Sequence, residues 1–380
     1  MPLAKTVIDR RGFIGGATAF AALGGCTPRL FCLCTGPRLE FGADGTFRFL
    51  QLTDLHLKPA GGKLHPRVEK TLRAAFAKFR PSLLVLTGDN VSGQDGDINA
   101  HGVFEVTVDP LIGLFREHGI PFCVTFGNHD SEKTGTDRFT RQEQYDYYRS
   151  RGAELFVDHD VPELQGVGSG VVSIVEKGAV RRPVFNLFVM DSGSYPEKGQ
   201  KGGWPGYDGC RSDQIAWYER VSGNVPFLWF QHIIVPDVNV NGLFVDAPRT
   251  ADPKAKEGPE TGYDMLWPEG TRRMLLSPGV KGLLKEHTCP PYWATYRDAA
   301  HTHEGRTLYE SWRWKGNMKG AFFGHDHMNT FLGADKNGIV LGMTKCCSLW
   351  TYHDNNPGVR AFTVRSDGTY ETEIFTEADI

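Results

Sequence analysis

Short apolar runs that end in Asp, Gly, Asn or His recur along this chain, and this rhythm limits the folds open to it. The first three runs, each with the polar residues that follow it, are 47–52 with Asp54, 83–86 with Gly88-Asp89-Asn90, and 122–125 with Gly127-Asn128-His129-Asp130. Segments 66–79 and 138–150 have the apolar spacing of helices, and Arg80-Pro81 ends the first of them. We therefore predict an α/β fold with polar groups at the carboxyl ends of its strands, where open sheets place their sites.

The later part of the chain continues the strand pattern without clear helices. We expect three further apolar runs to extend the same sheet, namely 185–190, 227–230 and 320–323. Beyond Gly324, apolar and polar residues alternate at 339–343, 361–364 and 369–375. Alternation of this kind is typical of antiparallel strands, so the C-terminal part predicts an antiparallel second sheet.

Length and composition favour one large domain. A chain of 380 residues with 40% hydrophobic and 23% charged residues can bury a full core. The formal net charge is -3, and no run of like charges offers a local basic field. We therefore exclude polymeric nucleic acid as a partner. The cysteine spacings match no zinc finger, so cysteine is not the expected metal ligand.

Residues 1–40 resemble an export signal and a linker, which leaves 41–380 as the main folded domain. The pair Arg10-Arg11 precedes a short Gly/Ala-rich apolar run that cannot span a bilayer as an ordinary helix. This pattern resembles a twin-arginine signal, and 23–26 resembles the site where bacterial lipoproteins are cleaved and lipidated at a cysteine, here Cys26. The alternative is an N-terminal helix of the mature fold, against which the arginine pair and the glycines argue. We expect a periplasmic, extracellular or lipid-anchored protein, with lipidated Cys26 as the membrane anchor in the last case.

Five short segments concentrate carboxylate, imidazole and amide groups, and each follows an apolar run. They are Asp54-Leu55-His56, Gly88-Asp89-Asn90, Gly127-Asn128-His129-Asp130, His232 and Gly324-His325-Asp326-His327. Taken singly, an Asp after a strand is usually a cap or turn residue, and a lone His is usually a packed or surface residue. Together, five strand ends in one sheet bring these groups to one edge. An extended backbone also points residues 325 and 327 to the same side.

The order and the residue types of these segments resemble those of the calcineurin-like metallophosphoesterase superfamily over residues 47–375. Segments 190–195, 212–217 and 323–329 look like the fungal and plant branch related to purple acid phosphatases. The resemblance implies a four-layer α-β-β-α sandwich, in which two mixed β-sheets lie face to face with helices outside.

Carried over position by position, the resemblance implies two divalent metal ions, drawn from Mn, Fe, Zn or Co. Asp54, His56 and His327 would hold one ion, Asn128, His232 and His325 the other, and Asp89 would bridge them. A bridging carboxylate suits two ions roughly 3.5 to 4 Å apart, and neutral imidazole and amide ligands limit the negative charge that would repel a phosphate. A glycine precedes a ligand at positions 88, 127 and 324, where a missing side chain lets the backbone turn close to the metals.

The reaction implied is hydrolysis of a phosphate monoester or diester, a small-molecule substrate, by in-line attack of a metal-bridging hydroxide. His129 matches the catalytic His of the superfamily and would stabilise the phosphoryl oxygens or protonate the leaving group. The neighbouring Asp130 is a candidate to orient His129. Two alternatives remain, namely a metal-bearing binding protein without catalysis and a hydrolase of nucleotide or lipid-head diphosphates.

Two features depart from the best-known relatives. Ser92 stands where purple acid phosphatases carry the Tyr that ligates ferric iron, so we expect a colourless site. Protein phosphatases carry an Asp at this position, and its absence argues against a Ser/Thr phosphatase. The stretch 236–318 is an insertion that we expect to rim the active site. We favour a packed subdomain over a substrate lid for it, and predict that His287, His301, His303 and His353 are not ligands.

Overall fold

The computed structural model describes residues 36–93, 97–132, 138–178, 182–195, 207–239, 241–246, 263–267, 270–284 and 301–380. All of them belong to one compact unit, Cys32–Ile380. The predicted export signal, Cys26 included, lies outside the described residues, so it stays a prediction. Within the described ranges, no helix combines the length and the apolar character that crossing a membrane requires.

Helices and strands alternate through the first half of the described chain, and strands dominate the second. The helices are α1 Pro66–Phe79, α2 Val103–His118, α3 Arg141–Gly152, α4 Ser212–Val221 and α5 Leu308–Lys315. The first seven strands are β1 Thr46–Leu52, β2 Leu84–Thr87, β3 Phe122–Thr125, β4 Gly170–Val175, β5 Pro183–Met190, β6 Phe227–Gln231 and β7 Phe244–Asp246. The remaining strands are β8 Tyr263–Trp267, β9 Gly270–Leu276, β10 Lys281–Leu283, β11 Met318–Phe323, β12 Thr330–Ala334, β13 Val340–Met343, β14 Gly358–Arg365 and β15 Tyr370–Thr376.

Two large mixed sheets form the centre of the fold. The first has the order β15-β14-β1-β2-β3, with β1, β2 and β3 parallel and the last two strands of the chain antiparallel at its edge. The second has the order β10-β12-β13-β11-β6-β5-β4, with β13, β11, β6 and β5 parallel. A small antiparallel sheet, β7-β9-β8, pairs with neither but contacts the second, where Phe244 of β7 packs against Phe331 of β12.

Alternating side chains show how the layers pack. In β2, Leu84 and Leu86 belong to the core that includes α1 and α2, whereas Val85 belongs to the core between the two sheets. In that second core the ring of Phe49 in the first sheet meets Phe230 in the second, with centroids 5.7 Å apart. On the far face Trp229 packs against Trp312 of α5. The predicted four-layer α-β-β-α sandwich with two mixed sheets is therefore confirmed.

The sheet to which each strand belongs differs from the prediction made from local sequence. Strands β5, β6 and β11 do not extend the first sheet but form the middle of the second. The C-terminal strands do not build a sheet of their own, because β12 and β13 join the second sheet while β14 and β15 join the first. An apolar run indicates a buried strand, but the choice of neighbour depends on contacts between residues far apart in the chain.

Two of the five described α-helices, α1 and α3, were predicted, whereas α2, α4 and α5 were not. Helix α1 has the predicted bounds, and α3 begins at Arg141, three residues after the predicted start. The sequence analysis missed α2, which contains Pro110. A proline inside a helix removes one backbone hydrogen bond, but the buried residues Phe104, Val108 and Leu111 keep helical spacing and hold the helix against the first sheet.

Candidate metal centre

The five predicted segments meet at one edge of the two large sheets. Asp54 and His56 follow β1, Asp89 follows β2, and Asn128 follows β3 of the first sheet. His232 follows β6, and His325 and His327 follow β11, in the second sheet. All seven side chains are buried. The fold thus brings together the residues that the sequence analysis selected, although their strands belong to two sheets rather than to the one that was expected.

One group of ligand atoms comprises those of Asp54, His56, Asp89 and His327, which all lie within 4.8 Å of one another. His56 Nε2 lies 3.0 Å from His327 Nε2, so two imidazole nitrogens face each other directly. His327 Nε2 lies 3.3 Å from Asp54 Oδ1, and His56 Nε2 lies 3.5 Å from Asp89 Oδ2. This is the set predicted for the first metal, with the bridging Asp89 included.

A second group comprises Asp89, His232 and His325, again with ligand atoms within 4.8 Å of one another. His232 Nε2 lies 3.1 Å from Asp89 Oδ2, but the two atoms are not aligned for a hydrogen bond. Asn128 completes the predicted set from the adjoining loop, where its Nδ2 donates to the hydroxyl of Tyr195 at 3.1 Å. Asp89 is shared by both groups, as a bridging ligand must be.

Several buried polar atoms at this edge are left without partners in a way that a cation would satisfy. Among the described residues, Asp89 Oδ2, Asn128 Oδ1 and His232 Nε2 make no hydrogen bond. A buried polar atom without a partner costs about 1 to 3 kcal/mol. Carboxylate and amide oxygens and imidazole nitrogens are the usual donors to divalent metals such as Mn, Fe and Zn. The residues present therefore fit a pair of divalent ions, whose identity the donor set leaves open.

The backbone at the centre is held in an unusual conformation. Asp54, His56, Asp89 and His325 have φ angles of 54°, 42°, 50° and 77°. Left-handed backbone at residues other than glycine costs of order 1 to 3 kcal/mol each and concentrates at functional sites. Backbone hydrogen bonds support two of these residues, because Asp54 N donates to Gly88 O and His56 N donates to Asp89 O.

Two glycines allow the ligand loops to approach one another. A Cβ atom on Gly127 would lie 2.3 Å from Asp89 Oδ1 and 2.6 Å from His232 Cδ2. A Cβ atom on Gly324 would lie 1.9 Å from Thr53 Oγ1 and 3.0 Å from Asp54 Oδ2. Neither position has room for a side chain beside the candidate ligands, which agrees with the role predicted for these glycines.

Burial and charge shift the histidines in opposite directions. Burial, together with the neighbouring His232, lowers the pKa of His325 to about 3, and burial also lowers the pKa of His56 well below its ordinary value. Burial alone would lower the pKa of His232 as well, but the adjacent Asp89 carboxylate outweighs it and raises that pKa to about 9. The neutral imidazoles of His56 and His325 are the metal-binding form, and Asp89 attracts positive charge to the position between the two groups.

His129, the predicted catalytic residue, lies beside the centre. Its backbone N–H donates to Asp89 Oδ1 at 2.8 Å, and its ring centroid is 4.8 Å from that of His56. Nδ1 lies 2.6 Å from Glu132 Oε2, whereas Nε2 lies 3.9 Å from Asp89 Oδ2. Burial lowers the pKa of His129, but the charge of Asp89 and the hydrogen bond to Glu132 outweigh it and raise that pKa to about 9.

The expectation that Asp130 orients His129 is wrong. The buried Asp130 carboxylate accepts hydrogen bonds from the backbone N–H groups of Gly127, Asn90 and Val91, so it ties the second and third ligand loops together. Glu132 contacts the His129 ring instead, and the sequence analysis missed it. The signal was its spacing, because His129–Ser131 forms a 3-10 turn and residues three apart then lie on the same side.

The second ligand of the His-Asp-His segment is held by a C-terminal loop. His327 Nδ1 lies 3.1 Å from the backbone oxygen of Tyr352, whose ring stacks on His327 with centroids 4.0 Å apart. A buried ion pair between Lys345 and Asp354, with Nζ 2.6 Å from Oδ1, closes the base of this loop. One imidazole nitrogen of His327 is thereby fixed, which leaves Nε2 facing His56 and Asp54.

The histidines predicted not to be ligands lie outside both groups where the structure describes them. His301 Nε2 contacts Asp208 Oδ1 at 2.7 Å, His303 pairs with Glu219, and His353 Nδ1 accepts from Asn355 N. His287 lies outside the described residues. Much of the stretch 236–318, which was predicted to be an insertion, lies outside them as well, including Tyr292, Trp293 and Tyr296. Of the described aromatics in that stretch, Trp312 is fully buried, whereas Trp314 is exposed.

Comparisons with known proteins agree with the geometry of the candidate metal centre. A sequence profile of the calcineurin-like phosphoesterase family matches residues 47–329. Probable inactive purple acid phosphatase 14 of Arabidopsis thaliana is 26% identical over 329 residues, which are 80% of this chain and 71% of that protein. Phosphatase DCR2 of Saccharomyces cerevisiae is 28% identical over 224 residues, or 53% of this chain and 36% of that one.

A dimetal phosphatase from Danio rerio is similar among solved structures, with 12% identity and a TM-score of 0.49 over 87% of this chain and 99% of that chain. The family profile carries the conclusion on its own. Its match runs from β1 to beyond β11, covers well over half of the chain, and contains every residue of the two ligand groups. This chain belongs to the calcineurin-like phosphoesterase family.

Proposed function

We propose that this protein hydrolyses a small phosphate monoester or diester at a dinuclear metal centre. The observation that carries the proposal is the pair of ligand groups that share Asp89, with unpartnered buried acceptor atoms at their junction. A structural metal site needs neither a shared carboxylate nor a second ion. Two ions close together are typical of enzymes that displace an oxygen at phosphorus.

The side chains of this chain would divide the work of holding the metals as the sequence analysis assigned it. Asp54, His56 and His327 would hold one ion, Asn128, His232 and His325 the other, and Asp89 would bridge them. When bound, the ions supply Lewis-acid polarisation of the phosphate and lower the pKa of a water molecule toward neutrality. The strained, buried backbone at Asp54, His56 and Asp89 fixes these groups before a substrate arrives.

His129 would act on the substrate itself rather than on the metals. Its Nδ1 is held by Glu132, so Nε2 is the nitrogen on the side of Asp89 and the ligand groups. A protonated Nε2 there donates to a phosphoryl oxygen or gives its proton to the leaving oxygen. We expect His129→Ala to keep its metal content while turnover falls by about two orders of magnitude.

The second candidate is a binding protein that holds metal but does not catalyse a reaction. The name of the Arabidopsis relative, which describes that protein as a probable inactive phosphatase, is the reason to test this candidate. The presence of His129 beside a full set of candidate ligands supports the enzyme instead. A third candidate, hydrolysis of nucleotide or lipid-head diphosphates, uses the same centre and differs only in the group that flanks the phosphate.

Metal analysis combined with turnover tests the proposal. We expect about two divalent ions per chain after reconstitution with Mn, and hydrolysis of 4-nitrophenyl phosphate or its bis ester, whose ratio gives the ester preference. Asp89→Asn should abolish turnover, whereas Asp367→Asn, in the turn between β14 and β15 at the opposite end of the first sheet, should not. Bound metal without turnover on either ester or on a diphosphate panel would leave the binding protein, and no bound metal would reject the dinuclear centre.

Export remains a separate proposal that rests on Arg10, Arg11 and Cys26, all outside the described residues. We propose that a twin-arginine route carries the protein to the periplasm, the medium or the cell envelope. A reporter fused after Cys26 should leave the cytoplasm, and changing both arginines to lysine should retain it. Cytoplasmic retention of the unchanged fusion would contradict the proposal, and Cys26→Ser separates a lipid anchor from simple secretion.

A further inference from the structure

Three hydrogen bonds connect the candidate catalytic His129 to the candidate metal ligand Asn128 by way of two residues outside the predicted site. His129 Nδ1 lies 2.6 Å from Glu132 Oε2. The other carboxylate oxygen, Glu132 Oε1, accepts from the hydroxyl of Tyr195 at 2.6 Å. The Tyr195 oxygen in turn accepts from Asn128 Nδ2 at 3.1 Å.

The chemistry of these groups fixes the direction of each bond. An ionised carboxylate only accepts, so both His129 Nδ1 and the Tyr195 hydroxyl must donate to Glu132. The Tyr195 oxygen then has its lone pairs free for the Asn128 amide nitrogen. This order places the Asn128 oxygen on the other side, where Oδ1 is buried with no hydrogen-bond partner among the described residues. One carboxylate therefore keeps a proton on His129 Nδ1 and sets the orientation of the Asn128 amide.

The four residues come from two separate loops. Asn128, His129 and Glu132 lie on the 3-10 turn that follows β3, whereas Tyr195 lies in the loop after β5 of the other sheet. The Tyr195 ring stacks on Tyr207, and Tyr207 packs edge-on against His325 at 4.2 Å. Tyr195 therefore packs, through Tyr207, against His325 of the second ligand group. From this position its hydroxyl donates to Glu132 from outside the turn.

Partial exclusion of water strengthens this arrangement. The side chains of His129 and Glu132 are only 14% and 16% exposed. Hydrogen bonds to a charged group are about twice as strong as neutral ones, and less solvent around them raises their electrostatic part. The link is thus able to hold an imidazole against thermal rotation, which an exposed pair on a surface turn would not do.

We propose that Glu132, supported by Tyr195, is the positioning residue of this site, which holds the His129 ring and the Asn128 amide in the orientation for phosphoester hydrolysis. The proposal rests on the proposed function for its catalytic meaning. It assigns to Glu132 the role that the sequence suggested for Asp130. Glu132 itself belongs to neither ligand group, so its role is exerted through His129 and Asn128.

A double-mutant cycle tests the catalytic part. We expect Glu132→Gln to lower kcat for phenyl phosphate about 10- to 100-fold at unchanged metal content, and Tyr195→Phe to lower it about 10-fold or less. Because Glu132 acts mainly through His129, adding Glu132→Gln to His129→Ala should cause a much smaller loss than in wild type, no larger than that of Tyr195→Phe, which measures the branch to Asn128. Equal losses of kcat from Glu132→Gln in the wild-type and His129→Ala backgrounds would overturn the proposal. Full activity of Glu132→Gln would also overturn it. An unchanged kcat in Tyr195→Phe would show that Tyr195 does not support Glu132.

Matched controls separate positioning from general damage. Tyr147→Phe also removes a hydroxyl that donates to a carboxylate, that of Asp109, but on helices α2 and α3. Glu117→Gln also neutralises a paired glutamate, which bonds Arg73 on the surface. Neither change should alter kcat by more than about twofold, because neither residue is part of the chain of hydrogen bonds from His129 to Asn128.

A second readout does not depend on activity, so it tests the link even if the wild-type protein turns over no phosphate ester. In a sample labelled with nitrogen-15 histidine, the His129 signal, identified by its loss in His129→Ala, should show a proton on Nδ1 that exchanges slowly with water. Glu132→Ala should speed its exchange or shift the tautomer. A His129 ring whose signals are the same with and without the Glu132 carboxylate would overturn the proposal.

Discussion

At the scale of single residues, the close approach of neighbouring backbone segments, rather than side-chain chemistry, determines which residue several positions of this site can hold. Asp54 and Asp89 accept left-handed backbone conformations that cost free energy, and both are buried. Such strain persists only where surrounding contacts leave no alternative. Gly324 supplies one of these contacts, because it lets the β11 loop lie against Thr53 and Asp54.

Gly324→Ala should therefore damage the site without touching a ligand. The new methyl group would lie 1.9 Å from Thr53 Oγ1, so Thr53 or Asp54 must move. We expect a loss of about 1 to 3 kcal/mol in the free energy of unfolding, together with reduced metal content. Gly113→Ala in α2 is the control, because no atom lies within 4 Å of its Cβ position and alanine favours a helix. Normal metal binding and stability in Gly324→Ala would show that this loop is not tightly packed.

At the scale of elements, the sequence predicted where strands end better than which strands pair. Asp54, Asp89 and Asn128 were found because polar residues directly after apolar runs fall at the carboxyl ends of strands. Sheet membership was not found, since β6 and β14 are both largely buried strands whose own residues do not encode their neighbours.

The residues that hold the candidate ligands in place could not be predicted from local sequence patterns either. Glu132 was missed because its contact with His129 depends on a 3-10 turn, and Tyr195 because it comes from the opposite sheet. Lys345 and Asp354 form a buried pair that no spacing rule indicates. Sequence patterns therefore identified the candidate ligands, whereas the groups that orient them required the folded chain.

Glu219 joins three elements on the outer face of the second sheet, and this makes stability depend on pH. On α4, its carboxylate accepts from Arg306, from His303 Nδ1 and from the hydroxyl of Ser311 on α5. Burial alone would raise its pKa, but these hydrogen bonds and the charge of Arg306 outweigh it and lower that pKa from 4.5 to about 2. A lowered carboxyl pKa stabilises the folded state above about pH 4.5, and this contribution disappears as the pH falls toward 2.

Thermal unfolding of Glu219→Gln across acidic pH measures this contribution. The mutant should melt below wild type at pH 5.5, and the difference in Tm should shrink steadily toward pH 3. Glu371→Gln, which removes an exposed charge beside Arg365, should show little difference at either pH. A Tm difference that stays constant or grows on acidification would show that Glu219 stabilises the fold by packing rather than by charge.

At the scale of the whole molecule, the candidate centre joins the two sheets. Asp54, His56 and Asp89 belong to loops of the first sheet, whereas His232 and His327 belong to loops of the second. The folded protein therefore holds two buried carboxylates close together at the edge where the sheets meet. Divalent cations that bind these groups bind only when both sheets are in place, so metal binding and folding should be linked.

The linked prediction is that divalent metal raises the Tm of the whole domain. A ligand at 100 times its dissociation constant stabilises the folded state by about 2.7 kcal/mol, which for a domain of this size corresponds to roughly 4 °C. We expect this shift when Mn is added to chelator-treated wild type, in a single unfolding transition and with a dependence on Mn concentration. Asp89→Asn should show a much smaller shift, because this change removes the carboxylate that both ligand groups share. An equal shift in both proteins would place the metal effect elsewhere, and an unfolding trace that divides into two transitions would mean that the centre does not couple the sheets.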